Sequence, residues 1–254
     1  MVEFPTKPQL AEVYIQQGSD AITWYAWRNA LRVVPVLGRI PLRTMWPKFT
    51  VQYTYYTLRV CFLLSQGAEF ISREVADKAK LAAANAANFE GFATHDIGYA
   101  VAYAAYTAMY NSADKATVAS SFAADTASYA NATINMSCPN VKAGTIKAAL
   151  ADYKYLLKQP SFKWETRPLW PKHFFMATMP ECYEQWEENL LHDLKGIGLE
   201  FMSNDLKNLL ADKPIGSHLK NYARPLPNEL SKDPAALRRA ILLNESTDLM
   251  ALGV

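Results

Sequence analysis

The stretch GYAVAYAAYTAMY, residues 98–110, alternates small and aromatic side chains at helical spacing. Tyr99, Tyr103, Tyr106 and Tyr110 fall at i, i+4, i+7 and i+11, a spacing that places all four rings on one face of a helix. Ala100, Ala104 and Ala108 form a second column beside them. Alanine loses no side-chain entropy in a helix and lets a neighbouring backbone come close. A small column next to a ring column therefore predicts one helix approaching the alanines while the tyrosines fill the space further out. The alanine-rich character extends from Ala76 to Thr133 and predicts three consecutive helices. These are Ala68 to about Asn88, a tyrosine helix capped by Thr94 or Asp96, and Ala113 to about Thr133, capped by Ser112 with Phe122 and Tyr129 on one side. Turns this short make neighbours antiparallel. The stack is the expected centre of an all-α domain.

Toward the N-terminus, Pro8 to Gln17 reads as a short helix with Leu10, Val13 and Tyr14 inward, ended by Gly18. Ser19 is a suitable N-cap for the next helix and Asp20 suits its first turn. That helix carries Trp24, Trp27 and Leu31 on one face, with Arg28 and Arg32 adjoining, and Pro35 stops it. From Phe49 to Leu64 the run is rich in β-branched and aromatic residues, which suits a strand as well. Helical neighbours on both sides, and the spacing of Val51, Tyr55, Leu58 and Phe62, favour a helix.

Toward the C-terminus, Asn135 to Asn140 reads as a loop, and Gly144 to Lys158 as a helix with Ile146, Leu150, Tyr153 and Leu157 inward. Pro160 to Pro180 is the longest irregular stretch. It carries Trp164, Trp170, Phe174 and Phe175, and a loop so apolar is expected to clamp across the helices. Pro180 opens a helix through Leu194, Gly196 and Gly198 interrupt it, and Leu199 to Ala211 continues as a further helical segment. The whole predicts an antiparallel multi-helix bundle or short helical stack over residues 1–212, with residues 213–254 as an arm whose short last helix is capped by Asp233.

The totals narrow the function classes. The chain of 254 residues carries a net charge of +2, too near neutral to argue for nucleic acid as the main partner. Cys61, Cys138 and Cys182 are odd in number, far apart and without zinc spacing, which suits a reducing compartment. The first residues lack the apolar run of a signal peptide, and no apolar stretch is long enough to span a bilayer. A cytoplasmic protein without a membrane span is expected.

Few residues form a chemical constellation. His95-Asp96 and His192-Asp193 both spell the HD pair that metal phosphohydrolases use, so a metal-dependent HD-type hydrolase built on His95, Asp96, His192 and Asp193 is one alternative. Asp96 is equally explained as a first-turn acid. Cys138 and a later His173 could form a nucleophile pair only in contact; a structural thiol is the simpler reading. Glu181, Glu184, Glu187 and Glu188 read as the solvated face of a helix. No phosphate loop, G-x-S-x-G, H-E-x-x-H or Walker pattern occurs. Arg28, Arg32, Arg39, Arg43 and Lys48, interleaved with Trp24, Trp27 and Trp46, make a second alternative, a nucleic-acid-binding helical protein. Against it stands a core role for the tryptophans, with arginines snorkelling to the surface. The tyrosine stripe suits a core, or a recognition groove if one side of the stack is open.

Three stretches together resemble a helical region of bacterial conflict and defence proteins. They are Ala30 to Leu37, the block from Ala82 to Ala87, and Pro168-Leu169-Trp170-Pro171 followed by Met179-Pro180-Glu181, Trp186 and Leu190-Leu191. The resemblance covers most of residues 20–200. It departs after Leu194, where Gly196, Gly198 and Phe201 replace a Trp-rich ending. In that family the region is attached to varying effector domains, whereas residues after about 212 are too few for a second core. The resemblance implies a stand-alone, non-enzymatic sensor, adaptor or immunity-type subunit with no cofactor. Its partner would be a protein, either a co-encoded effector or a phage component. The candidate contacts are the loop with Trp164, Trp170, Phe174 and Phe175 and the arm from Pro214 onward, with Tyr99, Tyr103 and Tyr106 of the stripe and Arg28 and Arg32 as further candidate surface residues.

Overall fold

The computed structural model describes residues 3–39, 41–42, 50–87, 94–138, 142–164, 167–170, 181–213, 215, 222 and 233–240. Among them every regular element is helical: α1 (Lys7–Gln17), α2 (Ser19–Val33), α3 (Thr50–Leu64), α4 (Arg73–Ala87), α5 (Thr94–Met109), α6 (Ala116–Ser137), α7 (Lys142–Lys158), α8 (Glu181–Gly196) and α9 (Glu200–Leu210). Short 3-10 segments at Val34–Arg39, Ala68–Phe70 and Ala113–Lys115 join some of them, and a further helical stretch spans 234–240. The all-α expectation holds, and the strand alternative at Phe49 to Leu64 gives way to α3. Among the described residues no helix is long and apolar enough to cross a membrane.

The antiparallel stack follows the sequence. Asp77 of α4 meets Tyr106 of α5, and Ala83 meets Gly98, so the two helices run in opposite directions. Tyr99 meets Tyr129 and Tyr110 meets Phe122, which sets α6 antiparallel to α5. The alanine columns are the contact surfaces: Ala79 and Ala83 of α4, Ala100, Ala104 and Ala108 of α5, and Ala119, Ala123 and Ala127 of α6 are all buried. Gly98 marks a close approach of α4 to α5. A Cβ there would lie 2.7 Å from the Ala83 Cβ and 3.0 Å from Tyr53, whose hydroxyl donates to the carbonyl of Thr94.

The centre of the molecule is elsewhere. Residues Ala21 to Val33 of α2 and Tyr53 to Leu64 of α3 are buried on every side. A helix buried all round is an interior helix, and the stack of α4, α5 and α6 forms a wall against it. α2 packs on both α5 and α6, and α3 packs on α4 and α5. The expectation that the alanine–tyrosine stack is the centre is therefore corrected: it is one wall, with its tyrosines on the outer side.

Several boundaries differ for local reasons. Gly18, at φ 89°, is the only residue between α1 and α2. Ser19 is therefore the first helical residue of α2, and Gly18 occupies the cap position expected for Ser19. Thr6 makes the capping box on α1 with Gln9. The helix expected from Ala68 is split. A 3-10 turn ends at Phe70, and the Ser72 hydroxyl accepts from the Val75 N–H to open α4. α6 continues through the expected loop at Asn135 as far as Ser137, held by buried Thr133 and Ile134.

The inward face of α7 keeps Tyr153, which is buried as predicted, but is otherwise rotated from the predicted one. Thr145, Ala148, Ala149, Asp152 and Leu156 are buried, whereas Leu157 is 46% exposed and Ile146 and Leu150 are half-buried. The physical reason is an ion pair: Asp152 turns inward to meet two arginines of α2. Gly196 ends α8 as predicted, and Asp233 caps the last helix by accepting from the Ala235 N–H at 2.9 Å. The arm meets the core at its described residues Ile215, Tyr222 and Leu237, all buried. Tyr222 is held by Arg59, whose Nε donates to its carbonyl at 2.6 Å, and by Asp205, which accepts from its hydroxyl at 3.0 Å.

Candidate functional site

The outer side of α5 and α6 carries an aromatic ladder. The phenol rings on α5 sit at helical spacing, and Phe122 and Tyr129 of α6 interleave with them. Centroid separations are 6.0 Å for Tyr99–Tyr103, 5.5 Å for Tyr103–Phe122, 5.3 Å for Tyr106–Phe122 and 5.6 Å for Tyr110–Phe122. Tyr129 closes the other end, 5.6 Å from Tyr99, and His95 meets Tyr99 edge-on. All these rings are half-buried: the alanines beside them go inward and the rings stay at the surface.

Charges line its edges. The Tyr106 hydroxyl donates to Asp77 Oδ1 at 2.6 Å, and the Lys80 ammonium lies 5.5 Å over the Tyr106 ring. Asp77 is also 3.7 Å from Arg73. On the α6 side Asp125 is 3.2 Å from Lys7. Desolvation, then the Asp77 hydrogen bond and charge, hold the Tyr106 phenol above its usual range. Desolvation, Tyr129 and Asp125 raise that of Tyr103. The Tyr103 and Tyr106 phenols therefore keep their protons, and the ladder presents ring faces with hydroxyl edges.

The arginines are not at a surface. Arg28 and Arg32 are 1% and 0% exposed, which corrects both the nucleic-acid surface and the snorkelling expected of them. Asp152 Oδ2 is 3.0 Å from Arg28 Nε and 2.5 Å from Arg32 Nη2. Their remaining donors go to main chain: Arg28 to the carbonyls of Arg167 and Pro168 at 2.6 and 2.7 Å, Arg32 to that of Leu169 at 2.9 Å. Arg32 Nη1 also donates to Asn29 Oδ1. Burial lowers the pKa of Arg32, and Asp152 opposes that shift. Buried charges persist only when paired and hydrogen-bonded in this way.

The same bonds pin the clamping loop, so that expectation holds for its described part. Trp164 packs 5.8 Å from Trp27, Phe162 lies 6.0 Å from Trp24, and Trp170 meets Tyr183 edge-on at 5.3 Å. Trp170 is buried and Trp164 half-buried, so the former is a core residue rather than a contact. Phe174 and Phe175 lie outside the described residues, as do His173, Arg43, Trp46 and Lys48.

The two HD pairs are not brought together. His95 Nε2 is 3.1 Å from its own neighbour, Asp96 Oδ1. Asp193 accepts from the Leu42 N–H at 2.8 Å, while His192 faces solvent. Among the described residues no three His, Cys, Asp or Glu side chains form a group able to hold a metal ion. Burial pushes the Cys61 thiol up to about 12, an inert value. Sequence reasoning missed Asp152, although an acid one turn from the small pair Ala148 and Ala149 was the available signal. It also missed the continuation of the α6 stripe to Val118 and Met136, which lie four residues before and fourteen after Phe122.

No family model, curated protein or solved structure matches this chain. The likeness to helical regions of bacterial conflict proteins rests on the sequence pattern alone.

Proposed function

We propose that this protein is a non-enzymatic, protein-binding sensor, adaptor or immunity-type subunit of a bacterial defence or conflict system, working in the cytoplasm. The aromatic ladder on α5 and α6 is its contact face. The observation that carries this reading is the half-buried row of stacked rings beside a fully buried alanine column. Large rings cost little entropy when fixed and contribute strongly at protein interfaces, so a row left at the surface is a ready contact. The resemblance across residues 20–200 supports the defence setting. Co-expression with the products of adjacent genes tests the proposal: the expected result is a stable complex weakened by substitutions in the ladder. A chain that stays alone at micromolar concentration with every neighbour contradicts it.

A further inference from the structure

We infer that the ladder is covered by a second copy of this chain, two α5–α6 hairpins closing into a four-helix bundle. This rests on the reading of the ladder as a protein-contact face. Among the described residues five large hydrophobic side chains are exposed, and three of them, Leu81, Val118 and Met136, belong to this side of the molecule. Leu81 lies one turn beyond Asp77 on the same face of α4, the residue that binds Tyr106. Val118 and Met136 extend the α6 row of Phe122 and Tyr129 in both directions. The apolar strip therefore runs most of the length of α6 and spills over onto α4, wider than the ladder itself.

The size suits a copy of the chain. α5 has 16 residues and α6 has 22. At about 1.5 Å per residue they run roughly 24 and 33 Å, and two helices side by side are about 20 Å wide. A hairpin face of that outline covers on the order of 500–650 Å², so a pair buries on the order of 1,000–1,300 Å², enough for a specific interface. The charges suit it as well. On the α4 edge Asp77 lies with Arg73 and Lys80, and on the α6 edge Asp125 lies with Lys7. Each edge carries both signs, so a face meeting itself across a two-fold axis finds opposite charge whichever edges come together. A strongly acidic or basic partner would meet repulsion on either edge. Antiparallel hairpins also pack face to face at the shallow angle of ordinary four-helix bundles.

Sedimentation velocity of the full chain tests this. The expected result is a dimer at about 100 µM. Val118→Lys with Met136→Lys, both at exposed positions and checked for native helicity, should weaken it by about tenfold or more, because like charges would be brought into the seam. Ile15→Lys, on α1 at an exposed site of similar size, should leave the dimer unchanged. A monomer at that concentration overturns the inference, and so does a dimer that survives the paired lysines. If the chain is a monomer yet forms a complex with a co-encoded protein that the paired lysines abolish, the inference fails and the contact reading stands. If that complex is indifferent to the paired lysines, both fail.

Discussion

The wall of α4, α5 and α6 and the half of the molecule built on α2 and α7 with residues 160–164 and 167–170 are held together differently. In the wall, small side chains meet small side chains, and the groups in contact are close in sequence order from one helix to the next. In the other half, Arg28 and Arg32 reach carbonyls and a carboxylate more than a hundred residues away, under a roof of tryptophans. The first kind of packing tolerates small losses, since each contact is weak and many share the load. The second concentrates stability in a few buried charges, where losing one partner strands the others.

The largest expected effect follows from that contrast. Asp152→Ala leaves two buried guanidiniums without their shared carboxylate and should cost about 3–5 kcal/mol. In a chain of this size that lowers Tm by roughly 10 °C or more in thermal unfolding. A loss below about 1 kcal/mol would show that the carbonyls alone satisfy the arginines and would remove the distinction between the two halves.

In the wall the effects should be smaller. Phe122→Ala removes the ring on which Tyr103, Tyr106 and Tyr110 stack. A buried Phe→Ala costs about 3–5 kcal/mol, so a half-buried one should cost about 2, read from a urea melt with unchanged slope. Gly98→Ala improves helix propensity by about 1 kcal/mol but brings a methyl to 2.7 Å from the Ala83 Cβ. Overpacking of that kind costs about 1–3 kcal/mol, so a net loss of about 1 is expected. A more stable Gly98→Ala variant would mean that the two helices are free to move apart.

The smallest effect probes the edge of the ionic half. Asp212, a non-glycine residue at φ 55°, has its carboxyl raised to about 6, by burial first and by Asp152, with Arg28 opposing. A raised carboxyl pKa means that the folded state holds the proton more tightly. Its contribution to stability is full below the unfolded value near 4 and is lost as pH rises through about 6. Half-exposed, it is screened, so Asp212→Asn should raise Tm by only a few degrees above pH 7 and leave it unchanged near pH 4. Equal Tm gains at both pH values would assign the effect to the backbone rather than to the charge.

The same contrast explains what could be read in advance. The α5 stripe and the alanine columns follow from helical spacing over a dozen residues, so the stack and the shared face of its rings were legible, whereas its place as a wall and the half-exposure of the rings depend on the burial of α2 and α3 behind it. Asn135 read as a loop start because Asn favours turns, yet buried Ile134 and Thr133 carry the helix past it. On α7, the apolar spacing of Ile146, Leu150, Tyr153 and Leu157 pointed to one face; Tyr153 is buried there, and Asp152 turns the rest of the inward face to another. Its partners lie on α2, and no local pattern on α7 announces them. Arg28 and Arg32 look like surface residues for the same reason: burial of a guanidinium depends on carbonyls supplied by a distant loop. The candidate site was thus half legible, with the rings read from spacing and the arginines misplaced by ordinary hydropathy.

Under the proposed function the ladder makes contact while the ionic half makes the fold. This division is tested most directly by measuring association of the chain, with itself and with the product of an adjacent gene, for Tyr99→Lys and Tyr129→Lys together and for Asp212→Asn. The two Tyr→Lys substitutions together are expected to weaken association by about tenfold or more with native helicity retained, and Asp212→Asn to leave it unchanged. Association that is indifferent to the lysines while the fold is intact would contradict it.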